Sequence, residues 1–168
     1  MKTAIHWISE VKKGRLGIMA RPRGGDWLAD EISYLAGCGV GVVVSLLEKH
    51  EIEELDIVQE EALCEANGVS FLSFPIRDRD IPSSTHKTLQ LAESIFNHLK
   101  NGQNVAIHCR AGIGRSSVIA ACVLMMNGLD VDEAFLTIER ARGCIVPDTP
   151  EQREWVAQQC NVWSQQRN

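Results

Sequence analysis

The sequence predicts an α/β protein with a central, mostly parallel sheet that is flanked by helices on both faces. Segments rich in β-branched residues alternate with segments whose apolar residues recur at helical spacing. The segment Val40–Leu47 is apolar on both faces, as expected for a strand that is covered on both sides. No long linker or internal repeat divides the 168 residues, so we expect a single domain over residues 1–168.

The first half of the chain alternates short apolar segments with polar, helix-like ones. The apolar run Leu16–Ala20 leads into a turn, and Asp26 is predicted to cap a helix over Trp27–Ala36. In the Glu-rich segment Glu48–Glu65 the apolar residues have helical spacing, and we expect its acidic side chains to form a solvated face. Val69–Pro75 is predicted to be the next strand.

The second half continues this alternation with longer helices. Ser83 or Ser84 is predicted to cap a helix that runs through Lys100, and Asn104–His108 is predicted to be a strand. The loop after this strand is followed by three predicted helices: Ser116–Met126, Val131–Arg142 and Glu151–Trp163.

Composition and charge exclude several classes of protein. The formal net charge of −5 argues against general binding of nucleic acids. No apolar run approaches the roughly 20 residues that a membrane-spanning helix needs, and we expect no secretory signal. The six cysteines form no C-x-x-C pair and no cluster with zinc-ligand spacing. We therefore expect reduced thiols, a cytoplasmic location, and neither a metal nor another cofactor.

The segment from His108 to Ser116, His-Cys-Arg-Ala-Gly-Ile-Gly-Arg-Ser, joins a predicted buried strand to a predicted buried helix. Such a junction directs successive backbone N–H groups at one point, beside the positive end of the helix dipole. Gly112 and Gly114 allow the backbone angles of a tight anion-binding loop. We expect an oxyanion to be held by the residues Arg110, Ala111, Gly112, Ile113, Gly114 and Arg115.

Three side chains of this segment indicate what happens to the anion. The N–H groups that attract an oxyanion also stabilise a thiolate at Cys109, and a thiolate that faces phosphorus is a nucleophile. The guanidinium of Arg115 can bind two phosphate oxygens, and the hydroxyl of Ser116 can hydrogen-bond the thiolate as it leaves. The competing interpretations are a structural glycine turn around a buried cysteine and a dinucleotide-binding loop, whose third glycine is here Ser117.

The pattern H-C-x5-R-S is the signature of the cysteine-dependent phosphatases, and the chain resembles that superfamily. Gly14–Leu16 and Ala20–Arg23 are similar to the opening of the small atypical dual-specificity phosphatases, the VHZ-like group in particular. This resemblance implies a protein tyrosine phosphatase-like fold. It also implies hydrolysis of phosphomonoesters through a cysteinyl-phosphate intermediate, without a metal.

The resemblance also implies roles for residues outside the loop. The family pattern P-[I/V]-x-D assigns the general acid to Asp78, and the alternative is Asp80 in the same loop. Gln152, in a T-x-x-Q segment, is expected to lie near the site and help place water. His108 is expected to orient the loop through hydrogen bonds and not to act as a base.

The substrate is expected to be a phosphorylated protein or peptide. The tyrosine-specific phosphatases are longer and carry an aromatic loop that deepens the pocket. With the short region before Cys109, the resemblance therefore implies a shallow pocket that admits phosphoserine and phosphothreonine as well as phosphotyrosine. Arg110 either adds positive potential at the rim or pairs with a nearby acid. One alternative is a non-protein substrate, namely a phosphoinositide, an RNA 5′-phosphate or a sugar phosphate. Another is a phosphate-binding module without activity. We expect the pocket to be ringed by Arg21, Arg23, Arg77 and Arg79.

Overall fold

Five strands form the central sheet of the computed structural model, which describes the backbone of residues 1–166 and the side chains of residues 1–159. Their spatial order is β1-β2-β5-β3-β4, in which β1 is antiparallel to β2 and the other neighbours are parallel. The prediction of a mostly parallel sheet is therefore confirmed. The strands are β1 (His6–Val11), β2 (Gly14–Met19), β3 (Val40–Ser45), β4 (Ser70–Ser73) and β5 (Asn104–His108).

Helices cover both faces of the sheet, as predicted. Val43 of β3 belongs to an apolar cluster with the first and third helices, whereas Val42 and Val44 belong to a cluster with the last four helices. The alternation of side chains along a buried strand produces this division. The helices are α1 (Leu28–Gly37), α2 (Lys49–Glu54), α3 (Glu60–Ala66), α4 (Thr85–Lys100), α5 (Arg115–Met126), α6 (Val131–Arg142) and α7 (Pro150–Gln166).

In the first half of the chain, one strand was missed and two predictions were wrong in detail. β1 was not predicted, because a short, half-exposed edge strand carries little apolar signal. Asp26 does not cap α1, since it lies in a 3-10 turn over Gly25–Trp27 that precedes this helix. The segment Glu48–Glu65 forms two helices, α2 and α3, which are separated near Asp56, a residue with φ of 54°.

The second half of the chain follows the predictions closely. α6 has the predicted bounds, with a capping box formed by Asp130 and Glu133. Ser84, and not Ser83, caps α4, because its Oγ accepts a hydrogen bond from Lys87 N at 3.2 Å. Every residue of α5 from Arg115 to Met125 is buried, because this helix packs between α4, α6 and α7 and against the sheet.

The parallel strands place the loops of interest on one side of the molecule. β2, β3, β4 and β5 all point the same way, so their carboxyl ends meet at one edge of the sheet. The loop Cys109–Gly114 follows the central strand β5 at this edge, which is where α/β proteins commonly bind ligands. Within residues 1–166, no helix is long and apolar enough to cross a membrane.

The cap of α4 can be tested with a pair of neighbouring serines. Replacing Ser84 with alanine removes the acceptor for Lys87 N, so Ser84→Ala should lower the free energy of unfolding by about 1 kcal/mol in urea denaturation. Ser83→Ala is the control, because Ser83 is exposed and should change stability by less than about 0.5 kcal/mol. A larger loss at Ser83 than at Ser84 would contradict the assigned cap.

Candidate active site

Three carbonyl groups of the loop between β5 and α5 accept hydrogen bonds from residues outside the loop. Arg110 O accepts a hydrogen bond from Arg21 N at 3.2 Å, while Arg142 donates to Ala111 O at 3.2 Å and to Gly112 O at 3.1 Å. In the part of the chain that the structure describes, none of the backbone N–H groups of residues 110–114 donates a hydrogen bond. These N–H groups are therefore available to a ligand, as an anion-binding loop requires.

The two glycines of the loop are needed for different reasons. Gly112 has φ of +71°, and a Cβ there would lie 2.5 Å from the carbonyl carbon of Met19 at the end of β2. Gly114 has φ of −87°, which other residues also adopt. A Cβ at Gly114 would instead meet the carboxylate of Asp148, an exposed side chain that could move. The special backbone conformation is thus required at Gly112 and not at Gly114.

Cys109 lies where the loop leaves the sheet, and only 3% of its surface is exposed. The hydroxyl of Ser116 donates a hydrogen bond to Cys109 Sγ at 3.0 Å, the contact that the sequence predicted. Ser116 is itself buried in the first turn of α5, so its hydroxyl is fixed beside the sulfur. This arrangement can stabilise negative charge on the sulfur.

Arg115 is almost fully buried and its guanidinium group is held on several sides. Nη1 donates to Glu51 Oε2 at 2.8 Å and to the carbonyl of Ile76 at 2.9 Å. Nη2 donates to Glu51 Oε1 at 3.0 Å and to Asp78 Oδ1 at 3.0 Å. Since each terminal nitrogen carries two N–H groups, all four are used, and the Nε–H group alone remains.

Glu51 is the counter-ion that makes the burial of Arg115 possible. Burial raises the pKa of this carboxyl, but hydrogen bonds from Arg115 and from Glu48 N outweigh that effect, so the pKa lies below its ordinary value. Burial likewise lowers the pKa of Arg115, and Glu51 reverses the shift. The expectation that the acids of this segment are solvated is wrong for Glu51, which is 1% exposed.

His108 forms a second buried pair beneath the loop. Its Nε2 shares a hydrogen bond with Glu60 Oε1 at 2.7 Å, and its Nδ1 lies 3.2 Å from Cys109 O, which can only accept. Burial lowers the pKa of His108, but the charge and hydrogen bond of Glu60 more than compensate, so the pKa lies above its ordinary value. His108 therefore makes orienting hydrogen bonds of the predicted kind. Glu60 is buried, so the expectation of a solvated acidic side chain is wrong for this residue as well.

The two candidate acids are placed very differently. The carboxylate of Asp78 is half-exposed and contacts Arg115. The carboxylate of Asp80 instead accepts a hydrogen bond from Ile81 N at 2.8 Å, and the carbonyl of Asp80 accepts one from Gln152. The structure therefore brings the carboxylate of Asp78, and not that of Asp80, into contact with Arg115.

Gln152 lies against the loop of the candidate acids. It is fully buried, its Nε2 donates to Asp80 O at 3.1 Å, and its Oε1 accepts from Thr149 N at 3.2 Å. Both ends of its amide are bonded to protein, so it ties the loop of the candidate acids to the start of α7, and its role in placing water stays a prediction.

Arg110 pairs with acids, which is one of the two outcomes expected for it. Its guanidinium donates to Glu51 at 3.4 Å and to Glu54 at 3.1 Å.

Sequence reasoning missed Glu51 and Glu60 because an acid among apolar residues of a helix is normally solvent-exposed. The signal that could have found them is the presence of a predicted buried arginine and a predicted buried histidine, each of which needs an anion. No group of three or more candidate metal ligands occurs within the described side chains.

The buried pair Glu51–Arg115 predicts a dependence of stability on pH. Because the pKa of Glu51 is lowered in the folded state, this carboxylate stabilises the fold above its unfolded pKa, and the contribution is lost as the pH falls through the folded value. Glu51→Gln should therefore cost about 3 kcal/mol or more at pH 7, and less at pH 4, in urea unfolding. Glu53→Gln, at an exposed position of α2, is the control and should cost little at either pH. An equal penalty for Glu51→Gln at both pH values would show that the charge of Glu51 is unimportant.

Comparisons with known proteins identify a family and a shared fold. Residues 17–129 match the family model described as "Polymorphic toxin system, DSP-PTPase phosphatase". The dual specificity protein phosphatase 22 of Homo sapiens is 24% identical over 109 residues, which are 64% of this chain and 59% of that protein. The chain thus spans less than two thirds of the length of this curated relative.

Two solved structures share the fold over nearly the whole chain. The kinase associated phosphatase, with its catalytic cysteine replaced by serine, has a TM-score of 0.86 at 22% identity and covers 98% of this chain and 97% of its own. The structure of PTPMT1 in complex with PI(5)P has a TM-score of 0.79 at 20% identity and covers 98% and 99%. The family model covers well over half of the chain and contains the loop Cys109–Gly114. The chain therefore belongs to the DSP-PTPase phosphatase family, as a small atypical dual-specificity phosphatase of the cysteine-dependent superfamily.

Proposed function

We propose that this chain hydrolyses phosphomonoesters of phosphoproteins through a cysteinyl-phosphate intermediate, and that residues 1–168 form one catalytic domain. The proposal depends on one observation, the pair of contacts that flank the loop. Ser116 Oγ lies 3.0 Å from Cys109 Sγ, and Asp78 Oδ1 lies 3.0 Å from Arg115 Nη2. A candidate nucleophile, its stabilising hydroxyl, a buried cation and a candidate acid are thus linked at one loop.

In the first step, the thiolate of Cys109 attacks phosphorus while the N–H groups of residues 110–115 bind the phosphate oxygens. The ester P–O bond breaks as an S–P bond forms. Asp78, in its protonated form, donates its proton to the departing oxygen, so the alcohol or phenol leaves neutral.

In the second step, water attacks the cysteinyl phosphate from the side that the leaving group vacated. The carboxylate of Asp78 accepts a proton from this water, the S–P bond breaks, and inorganic phosphate is released. The hydrogen bond from Ser116 stabilises the thiolate that leaves, which restores Cys109 to its starting state.

Arg115 binds the phosphate through the two N–H groups that the protein does not need for holding the guanidinium in place. These are the Nε–H group and the Nη2–H group that now contacts Asp78. Phosphate binding at this pair would displace the Asp78 carboxylate from Arg115. The displaced acid is then close to the ester oxygen that must be protonated.

The substrate class follows from the family and from the loop. The relatives are named as protein phosphatases, which supports a phosphoprotein substrate of the tyrosine or serine and threonine type. The likeness to PTPMT1 in complex with PI(5)P keeps a non-protein substrate as the alternative. Against that alternative, the charge of Arg110 is already compensated by Glu51 and Glu54, and Ile113 adds none.

A cytoplasmic location is also part of the proposal. It is supported by free thiols in the described part of the chain, namely Cys38, Cys64, Cys109, Cys122 and Cys144.

Replacing the sulfur tests the nucleophile. Cys109→Ser should reduce hydrolysis of p-nitrophenyl phosphate to background while binding of vanadate or phosphate persists, because the N–H groups of the loop remain. Cys38→Ser is the control, since Cys38 lies at the end of α1, outside the loop. Turnover by Cys109→Ser at a rate comparable to that of the unmodified protein would exclude a cysteinyl phosphate.

Replacing the two aspartates separately tests the acid. Asp78→Asn should slow hydrolysis of phenyl phosphate, which has a poor leaving group, by about 100-fold or more. The loss should be smaller for p-nitrophenyl phosphate, whose leaving group needs less help from a proton. Asp80→Asn should affect the two substrates equally and weakly, because its carboxylate is bonded within its own loop. If Asp80→Asn instead produces the leaving-group dependence, then Asp80 is the acid.

A further inference from the structure

The side chain of His108 lies on the side of the sheet that α1 and α3 cover. Ile107 and Cys109 belong to the apolar cluster with the last four helices, whereas Ala106 belongs to the cluster with α1 and α3. Because side chains alternate along a strand, His108 points to the same side as Ala106. Glu60 of α3 contacts it there, and both side chains are buried. The pair is therefore separated from solvent.

The contacts of the His108 ring determine where its protons lie. Nδ1 lies 3.2 Å from the carbonyl oxygen of Cys109, which can only accept, so Nδ1 must carry a proton. Nε2 lies 2.7 Å from Oε1 of Glu60, so a second proton lies between these two atoms. When this proton is on Nε2, the ring is an imidazolium that donates from both nitrogens, and the carboxylate of Glu60 is its counter-ion.

The surroundings of the ring favour this charged state because of Glu60. Burial lowers the pKa of His108, but the charge and hydrogen bond of Glu60 outweigh that effect, while the charge of Arg115 in α5 acts in the same direction as burial. In α1, the buried Glu31 is paired with Arg23. The residues beside His108 in the sheet are uncharged; they are Met19 of β2 and Ser45 of β3. Within the described side chains, Glu60 is thus the carboxylate that contacts His108.

An imidazolium at this position acts on Cys109 in two ways. Its positive charge lies next to the residue that carries the candidate nucleophile, and a cation close to sulfur favours the thiolate. Its Nδ1–H group also holds the carbonyl of Cys109 toward the ring. In a trans peptide the C=O and N–H groups point in opposite directions, so the N–H group of Arg110 points away from the ring. That N–H group is one of those left available to a ligand.

We propose that Glu60 is a positioning residue of the reaction, which holds His108 as an imidazolium beneath the loop and thereby favours the thiolate of Cys109. This inference rests on the proposed function, because it takes Cys109 as the nucleophile. Glu60 acts through His108, since its carboxylate contacts the ring nitrogen that does not face Cys109. Without this carboxylate, burial favours the neutral ring, and the positive charge beneath the loop is lost.

The reaction of Cys109 with iodoacetamide at a series of pH values tests the proposal, because the thiolate is the reactive form. Glu60→Gln removes the charge but not the contact, since the amide can donate to Nε2 while the Nδ1–H group stays in place. The midpoint of the pH profile should move to higher pH, so that the rate below the midpoint falls about three- to tenfold. The rate well above the midpoint should be unchanged. Cys109→Ser measures the background from other thiols.

Glu61→Gln is the matched control, because Glu61 is the exposed neighbour of Glu60 on α3 and the substitution removes the same charge. Its pH profile should match that of the unmodified protein. An equal shift in the two variants would show that net charge, and not the contact with His108, is responsible. An unchanged profile in Glu60→Gln would also overturn the inference.

The protonation of His108 can be observed directly in the unmodified protein, whether or not Glu60→Gln folds. NMR spectra that correlate the ring nitrogens with the ring protons should show both nitrogens of His108 protonated at pH 7, and His108→Gln identifies the signal by its loss. In Glu60→Gln one nitrogen should be protonated. A neutral ring in the unmodified protein would place the second proton on Glu60 and overturn the inference.

Neither measurement requires turnover, so the two separate this inference from the proposed function. If the unmodified protein hydrolyses no phosphomonoester, the proposed function is wrong, and the pH profile and the spectra still decide whether Glu60 controls the thiolate. If Cys109→Ser abolishes turnover but Glu60→Gln leaves the alkylation profile unchanged, the inference is wrong and the proposed function stands.

Discussion

A buried guanidinium is stable only beside an anion, and this requirement organises the structure around the loop. Arg115 lies in the first turn of α5 and is 2% exposed, so a carboxylate must contact it inside the protein. The chain meets this requirement by placing α2 directly after β3, where Glu51 faces both Arg115 and Arg110. Glu60 of α3 does the same for His108. The Glu-rich segment therefore supplies the buried carboxylates that hold Arg115 and His108 in place.

The same arrangement determines how the site can work. Glu51 and the carbonyl of Ile76 occupy three of the four terminal N–H groups of Arg115, and Asp78 occupies the fourth. In the proposed mechanism, a phosphate and the carboxylate of Asp78 compete for one donor of Arg115. Under that proposal, phosphate binding at this donor releases Asp78 from Arg115, so substrate binding and release of the proposed acid are a single event.

The sequence predicted those features in which local chemistry determines structure. The alternation of strands and helices, a serine cap at Ser83 or Ser84 and the loop between a strand and a helix at His108–Ser116 each have a local physical cause, and the structure contains all three, with Ser84 as the cap. It could not predict Glu51 or Glu60, because burial of an acid depends on a partner more than forty residues away in the chain. Arg23 was expected at the rim of the pocket, but it pairs with the buried Glu31, a contact that is recognisable only once the chain is folded.

The burial of α5 from Arg115 to Met125 gives the parts of the site unequal stability. A helix without a solvent-facing side cannot separate from its neighbours unless much of the core opens as well, so the amides of this helix should exchange with solvent only through events close to global unfolding. The segment Arg77–Asp80 is exposed, and it is held by the contact of Asp78 with Arg115 and by the amide of Gln152 in α7. We therefore expect the amides of this segment to exchange through local opening, long before the helix beside it exchanges.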